Sequence, residues 1–313
     1  MSKYRNALPQ QSGEMFMTDG GMETTLVFHD GMDLPYFAAF DLLKSEDGLR
    51  KIRDYYRRYA SLALERGLSF IMESVTWRAS ADWGNLLGYD AGGLSAANRK
   101  AIEILHDIRA EFETADVRFI VSGCIGPRGD GYNPGEIMDP ETAEAYHRTQ
   151  IQTLKESGAD LITVFTLTYA EEAIGLTRAA LAADIPIVIS FTLETDGRLP
   201  TGQSLKDAIL AVDAATGEGP AYYMINCAHP THFAGILNDD AVWKKRIRGI
   251  RANASKMSHA ELDQAEELDD GNPLELGEEY RSLLALMPHV NVLGGCCGTD
   301  HRHVVAICDA CAA

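Results

Sequence analysis

The sequence predicts an α/β fold, a single (β/α)8 barrel over residues 1–313, and three observations carry that prediction. Short apolar runs of about six residues alternate with amphipathic helical stretches along the whole chain. The count reaches eight strands and roughly eight helices. No shift in composition and no linker divides the 313 residues. Parallel strands with helical returns close naturally into a barrel, because every strand then gains two neighbours. A doubly wound open sheet is the alternative.

The elements follow in order. Met15 to Thr18 forms strand one and ends at Asp19-Gly20-Gly21-Met22-Glu23-Thr24. Ser45-Glu46 opens a helix to about Arg66, with Ile52, Tyr55, Tyr56, Tyr59, Leu62 and Ala63 at helical spacing and Gly67 as its stop. Ser69 to Glu73 is strand two, followed by a loop from Ser74 to Gly84 that carries Trp77, Arg78, Asp82 and Trp83. A helix from Ser95 to about Thr114 leads to strand three, Val117 to Ser122, and a glycine-rich loop around Cys124 and Gly126-Pro127. That loop has neither dinucleotide nor Walker spacing. Asp139 caps a helix from Pro140 to Ser157. Strand four is Leu161 to Thr166, with its helix at Ala170 to Ala183. Strand five, Ile185 to Leu193, closes at Glu194 and is followed by a helix from Ser204 to Thr216. Strand six is Ala221 to Cys227, with helix six within Pro230 to Lys245, and strand seven is Ile247 to Ala252. An acidic insertion around Glu261 to Asp270 precedes a helix from Leu274 to about Leu286. Strand eight ends at Cys296-Cys297, and a last helix starts near Asp300.

Composition narrows the function. Hydrophobic residues make up 46% of the chain, and no run reaches the length of a membrane span. A net charge of −18 argues against nucleic-acid or anionic-membrane partners. It serves solubility, with attraction of a cationic substrate as a second reading. The polar stretch from Met1 to Gly13 has no apolar signal core, so the expected location is the cytoplasm. The six cysteines are then core thiols, metal ligands or reactive groups rather than disulfides. Exposed barrel helices suit a homodimer, although no distinctive patch stands out.

In a barrel of this kind, sites sit at the C-terminal ends of the strands. Asp19, Glu73, Cys124, Thr166, Glu194, Cys227, Cys296 and Cys297 all fall there. Cys227, Cys296 and Cys297 have two readings: three thiolate ligands of a catalytic Zn2+ with one open position, or small buried hydrophobes. Gly294-Gly295 gives the chain a bend at which two adjacent cysteines need not point apart. Cys124 reads as packing, as do Cys308 and Cys311 in the last helix. His229, His301 and His303 lie near the thiols in sequence and read as solvated or supporting groups. Three thiolates leave zinc a poor Lewis acid for water but suit it to a fourth thiolate, which points to alkyl transfer to sulfur more than to hydrolysis.

Asp19-Gly20-Gly21-x-Glu23-Thr24, Gly123-x-x-Gly126-Pro127, Ile225-Asn226-Cys227 and Gly294-Gly295-Cys296-Cys297-Gly298-Thr299 resemble the motifs of the homocysteine S-methyltransferase family and span nearly the whole chain. The resemblance implies a (β/α)8 barrel, zinc held by Cys227, Cys296 and Cys297, and methyl transfer to a small-molecule thiol, homocysteine giving methionine. It implies substrate contacts from Asp19, Gly20, Gly21, Glu23, Thr166 and Asn226. Donors in the family include S-methylmethionine, S-adenosylmethionine, betaine and methylfolate, the last with additional domains. Trp77, Trp83, Tyr89 and Tyr132 in rim loops are candidates for a cation–π wall around a sulfonium or ammonium donor. One departure stands out: family members carry Glu-Thr at the end of strand four, where this chain has Phe165-Thr166. Either Glu73 replaces the lost carboxylate or the acceptor is a different thiol. The competing classes are a barrel hydrolase or lyase using zinc-bound water, and a non-catalytic zinc or thiol-binding protein.

Overall fold

Eight parallel strands pair in sequence order and β1 pairs with β8, so the sheet is a closed barrel and the open-sheet alternative is excluded. The structure is a computed structural model that describes residues 1–238, 241–265 and 267–311. The strands are β1 Phe16–Met17, β2 Ser69–Glu73, β3 Phe119–Ile125, β4 Leu161–Leu167, β5 Ile187–Thr192, β6 Tyr222–Asn226, β7 Ile247–Ala252 and β8 Val292–Gly295. Alternate residues fill the barrel: Phe16, Ile71, Ile120, Leu161, Val188 and Tyr222 pack inside it. The opposite faces pack against the helices in a second, larger apolar layer. Among the described residues, no helix is long and apolar enough to cross a membrane.

Local signals account for the main helices. Ser45 accepts from the Gly48 amide at 3.0 Å, and Gly67 ends the helix Glu46–Arg66 in a left-handed turn at φ 64°. Asp139 caps Pro140–Glu156 through the Thr142 amide at 2.7 Å, and Ser204 caps Leu205–Thr216 through the Asp207 amide at 3.1 Å.

Several elements differ from the sequence expectation, among them a shorter β5, an earlier start at Ala91 for the helix Ala91–Phe112, and an unexpected helix His259–Gln264. Strand three begins later and runs to Ile125, because its pairing with β4 continues past Gly123 to Ile125↔Val164. Cys124 is thus inside the barrel wall, not in the loop beyond it. The expected loop before Gly84 contains the start of a short helix, Ala81–Leu86. Helix six is one α-turn, Pro230–Phe233, followed by 3-10 turns at Ala234–Leu237 and Val242–Arg246. Gly235 and Asn238 are poor helix formers, so the α-helix does not propagate. Residues 239 and 240 in that stretch, and residue 266 in the acidic insertion, lie outside the described residues. Strand eight stops at Gly295, which leaves both cysteines in the turn that follows.

The barrel is closed at its C-terminal rim by polar contacts between β1, β7 and β8. Arg251 on β7 reaches across β8: Nη1 is 2.6 Å from Asp19 Oδ1, Nε donates to the Gly295 carbonyl at 3.0 Å, and Nη2 donates to the Gly20 carbonyl at 3.0 Å. Tyr55 donates to Asp19 Oδ2 at 3.0 Å. All three side chains are buried. Removing one member of such a pair leaves an uncompensated buried charge. Asp19→Asn is therefore expected to cost about 3–5 kcal/mol in urea unfolding. Arg251→Met added to it should recover part of that loss; strictly additive losses would show that the two groups do not act as a pair.

Candidate metal and substrate site

The ends of β1 and β8 interlock through their glycine motifs. The Gly295 amide donates to the Asp19 carbonyl at 2.9 Å. The Gly21 amide donates to the Thr299 carbonyl at 3.0 Å, and the Gly298 amide donates to Thr24 Oγ1 at 3.1 Å. A Cβ on Gly294 would collide with Thr18 Oγ1 and stand 2.7 Å from the Asp19 carbonyl oxygen. Only glycine lets the two strands approach this closely.

That bend delivers Cys296 and Cys297 toward Cys227 at the end of β6. The three sulfurs lie within 4.8 Å of one another. Cys227 and Cys296 are joined as a disulfide with Cα atoms 5.4 Å apart, and Cys297 Sγ is 3.7 Å from Cys227 Sγ. The pairing differs from the sequence expectation of free thiols. Its cause is geometric: the ends of β6 and β8 bring the sulfurs close enough to bond to each other. The same three cysteines line a cavity of about 320 Å³, and once reduced they offer three thiolates to it. This donor set fits Zn2+ with one open position.

Two residues at strand ends hold strained backbone. Thr166 has φ 65° and Cys227 has φ 51°. For β-branched Thr166 this conformation is costly and needs support. Asn226 supplies it: Oδ1 accepts from the Thr166 amide at 3.0 Å, and Nδ2 donates to Thr166 Oγ1 at 3.0 Å. Ser190 donates to the same Asn226 oxygen at 2.6 Å. Asn226 is buried and outside the cavity lining; its amide also lies 3.8 Å from Cys296 Sγ, so it braces Thr166 next to the thiols.

The other expected residues divide. Asp19, Gly21, Glu23, Glu73 and Thr166 line the cavity with the three cysteines. Gly20 does not; its carbonyl accepts from Tyr55 and Arg251. Trp77 and Tyr132 line the cavity, and Tyr132 Oη lies 3.2 Å from Cys297 Sγ. Trp83 and Tyr89 stand outside the lining, and each already carries a protein cation. Arg78 lies 3.7 Å from the Trp83 ring centre, and Lys44 lies 4.2 Å from that of Tyr89. Of the expected aromatic residues Trp77 and Tyr132 line the cavity, and Trp77 too carries Arg78, 4.5 Å from its ring centre. His229 bonds Thr231 and pairs with Glu279, and His303 bonds Asp300 and the Asp270 carbonyl, so neither meets the thiols. Cys124 is buried and lines the cavity, whereas Cys308 is packed in the terminal helix.

The sequence reading missed three contributors. Arg251 and Tyr55 hold Asp19. His259, just before the acidic run, reaches an oxygen from each ring nitrogen: Nε2 donates to the Cys227 carbonyl at 2.7 Å and Nδ1 lies 3.0 Å from Glu194. Its ring stacks on Tyr132 with centres 3.9 Å apart. The insertion thereby covers the cavity mouth, to which Leu262, Asp263 and Asp269 contribute. The signal was Ser258-x-x-Glu261, a capping box that starts the short helix His259–Gln264.

Glu73 is the most perturbed acid of the cavity. It is buried, and its Oε2 has no hydrogen-bond partner. Burial pushes its carboxyl up to about 7; the Ser122 hydroxyl and the Arg251 guanidinium pull it down, and Asp19 pushes it up. The sign for stability follows. Between the ordinary value of 4.5 and about 7 the folded protein holds a proton that the unfolded chain releases. Stability therefore falls as pH rises through that window, by roughly 3 kcal/mol. Glu73→Gln removes this loss, so its unfolding free energy relative to wild type should rise between pH 4 and pH 8. A flat difference across that range would contradict the assignment.

Metal binding has its own test. The reduced protein is expected to bind one zinc, and Co2+ in its place should give strong thiolate charge-transfer bands. Cys297→Ser should weaken binding by about a hundredfold or more. Unchanged affinity would remove Cys297 from the ligand set.

Comparison with known proteins agrees with this geometry. The family model for homocysteine S-methyltransferase matches residues 16–311. Selenocysteine Se-methyltransferase of Brassica oleracea var. italica is 27% identical over 96% of this chain and 90% of its own length. Homocysteine S-methyltransferase 1 of Arabidopsis thaliana is 23% identical over 96% of this chain and 94% of its own. Among solved structures, the homocysteine methyltransferase MmuM from Escherichia coli superposes with a TM-score of 0.76 in its oxidized form and 0.75 in its metallated form. Each is 20% identical and covers 96% of this chain and 97% of that one, a likeness of fold. The chain belongs to the homocysteine S-methyltransferase family and is an S-methyltransferase.

Proposed function

We propose that the enzyme transfers a methyl group from a small sulfonium donor, S-methylmethionine or a close analogue, to L-homocysteine, giving methionine. The observation that carries this reading is the convergence of Cys227, Cys296 and Cys297 within 4.8 Å at the floor of a covered cavity. Zinc held by these cysteines would lower the pKa of an incoming thiol, so that it is present as thiolate at neutral pH.

The chain's own residues then bind, orient and exclude water. Seven carboxylates and two guanidinium groups line the cavity, which favours cationic substrates. Trp77 and Tyr132 offer aromatic surface to the onium group. Glu73 takes the place of the carboxylate missing at Phe165 and holds the acceptor's ammonium group, which in turn keeps Glu73 ionised. The insertion carrying His259 shuts out solvent. With both reactants held in line, the acceptor sulfur's electron pair forms the new S–CH3 bond as the donor's C–S bond breaks. That bond's electron pair stays on the donor sulfur, which departs as a neutral thioether, and the thiol proton passes to water. Positioning supplies much of the rate.

A second acceptor class is favoured by one observation. The Brassica oleracea relative is named for selenocysteine, and Phe165 changes the acceptor side of the cavity. Selenocysteine is therefore the alternative acceptor.

Purified, reduced, zinc-loaded protein is expected to form methionine from homocysteine and S-methylmethionine, with no turnover by Cys297→Ser. Glu73→Gln should raise the KM for homocysteine about tenfold or more, with little change for a thiol that lacks the amino group. Normal homocysteine KM in Glu73→Gln would remove Glu73 from acceptor binding. Turnover with selenocysteine alone would replace homocysteine as the acceptor.

A further inference from the structure

Arg78 is a buried cation without a matched anion. It is 8% exposed, yet it contributes to the cavity lining. Its guanidinium lies over two indoles, 3.7 Å from the Trp83 ring centre and 4.5 Å from that of Trp77. Its carboxylate contact is distant: Nη2 is 3.5 Å from Asp130 Oδ2. Asp130 is itself half exposed, and its other oxygen accepts from the Tyr132 and Asn133 amides at 2.8 and 3.1 Å. The buried Nε has no partner. A guanidinium presents five donors in a planar fork matched to a carboxylate, and burying one with its donors unfilled is costly. Stacking fixes the plane of the fork but fills none of its N–H groups.

Position decides which substrate supplies the anion. Tyr132 Oη is 3.2 Å from Cys297 Sγ. Next to it, a Cβ on Gly131 would meet the Trp77 ring at 3.2 Å, and Arg78 lies over that ring. Contacts thus run from the thiols through Tyr132 and Trp77 to Arg78. The acceptor sulfur must sit at the cysteines, whereas an onium against Trp77 and Tyr132 lies farther out and within reach of Arg78.

We propose that Arg78 anchors a carboxylate carried by the methyl donor. The donor class is then a small zwitterion, with an onium methyl group at one end and a carboxylate at the other. Onium cations without that anionic arm meet the Arg78 charge uncompensated and are rejected, so one residue provides both attraction and exclusion. The assignment rests on the methyl-transfer reading above.

The test compares S-methylmethionine with its carboxamide, which differs only in the neutralised carboxylate. Binding is measured by calorimetry on zinc-loaded wild type and Arg78→Met, a variant that keeps an apolar stem between the indoles, and initial rates are measured in parallel. Wild type is expected to bind S-methylmethionine about thirtyfold or more tightly than the carboxamide. Arg78→Met should reduce that ratio to about threefold or less, with the homocysteine KM unchanged. Equal weakening of both ligands would show that Arg78 only braces the loop, and overturn the proposal. So would a raised homocysteine KM, or a wild type that does not distinguish the two ligands. The expected binding pattern without turnover would support the anchor while the methyl-transfer reading failed.

Discussion

The ion pair between Arg251 and Asp19 is the constraint on which the rim depends. The guanidinium reaches over β8 to the end of β1, and it is spent on three acceptors: the Asp19 carboxylate and the Gly20 and Gly295 carbonyls. Backbone bonds continue outward from the same place. The Cys227 amide donates to the Arg251 carbonyl at 3.1 Å, and the Cys296 amide to that of Ala252 at 2.8 Å. Both thiol-bearing segments are thus hung from β7. A buried pair of this kind contributes little net stability, because its desolvation is expensive. What it provides here is a tie between the ends of β1 and β8, where the glycine motifs meet.

Backbone strain sits beside this clamp rather than elsewhere. Thr166 and Cys227 both adopt left-handed conformations at the ends of β4 and β6. Asn226, between them in space, satisfies Thr166 from both ends of its amide. The unpartnered Oε2 of Glu73 lies in the same region. Cavities that bind charged groups commonly keep polar atoms unfilled and backbone in sparse regions, and the surrounding packing holds them there. The closed barrel, with its two apolar layers, is what permits that concentration.

The barrel was legible because its causes are local. Apolar runs alternating with capped helices report themselves in windows of a dozen residues, and Ser45, Asp139 and Ser204 cap where their types suggested. The three thiols were legible because strand ends in a barrel share one rim. Arg251 was not, since an arginine inside an otherwise apolar strand carries no sign of the partner it finds across the sheet. The same holds for His259: the capping box starts its short helix, but nothing in the sequence says that the helix docks on the Cys227 carbonyl. Asn226 was singled out with the substrate contacts, and the structure adds its bonds to Thr166 and Ser190. A motif fixes which residues gather, while hydrogen-bond geometry decides whether an amide faces ligand or protein. Trp83 and Tyr89 were assigned as open aromatic faces because the sequence does not show that Arg78 and Lys44 cover them.

The interlocked glycine motifs have a kinetic side. The Gly21 amide bonds Thr299 across a separation of 278 residues, so the thiol pair and the strand it leans on come from opposite ends of the chain. Joining segments that distant carries a large loop-closure entropy unless the intervening strands have already shortened the path. In chain order all eight strands precede Cys296 and Cys297, and the helix His301–Cys311 follows them. A chain ending before Cys296 would keep the residues of every strand and lack that helix and two of the three sulfurs. Metal uptake would thus report the zipping of the final seam, which helix content alone does not register.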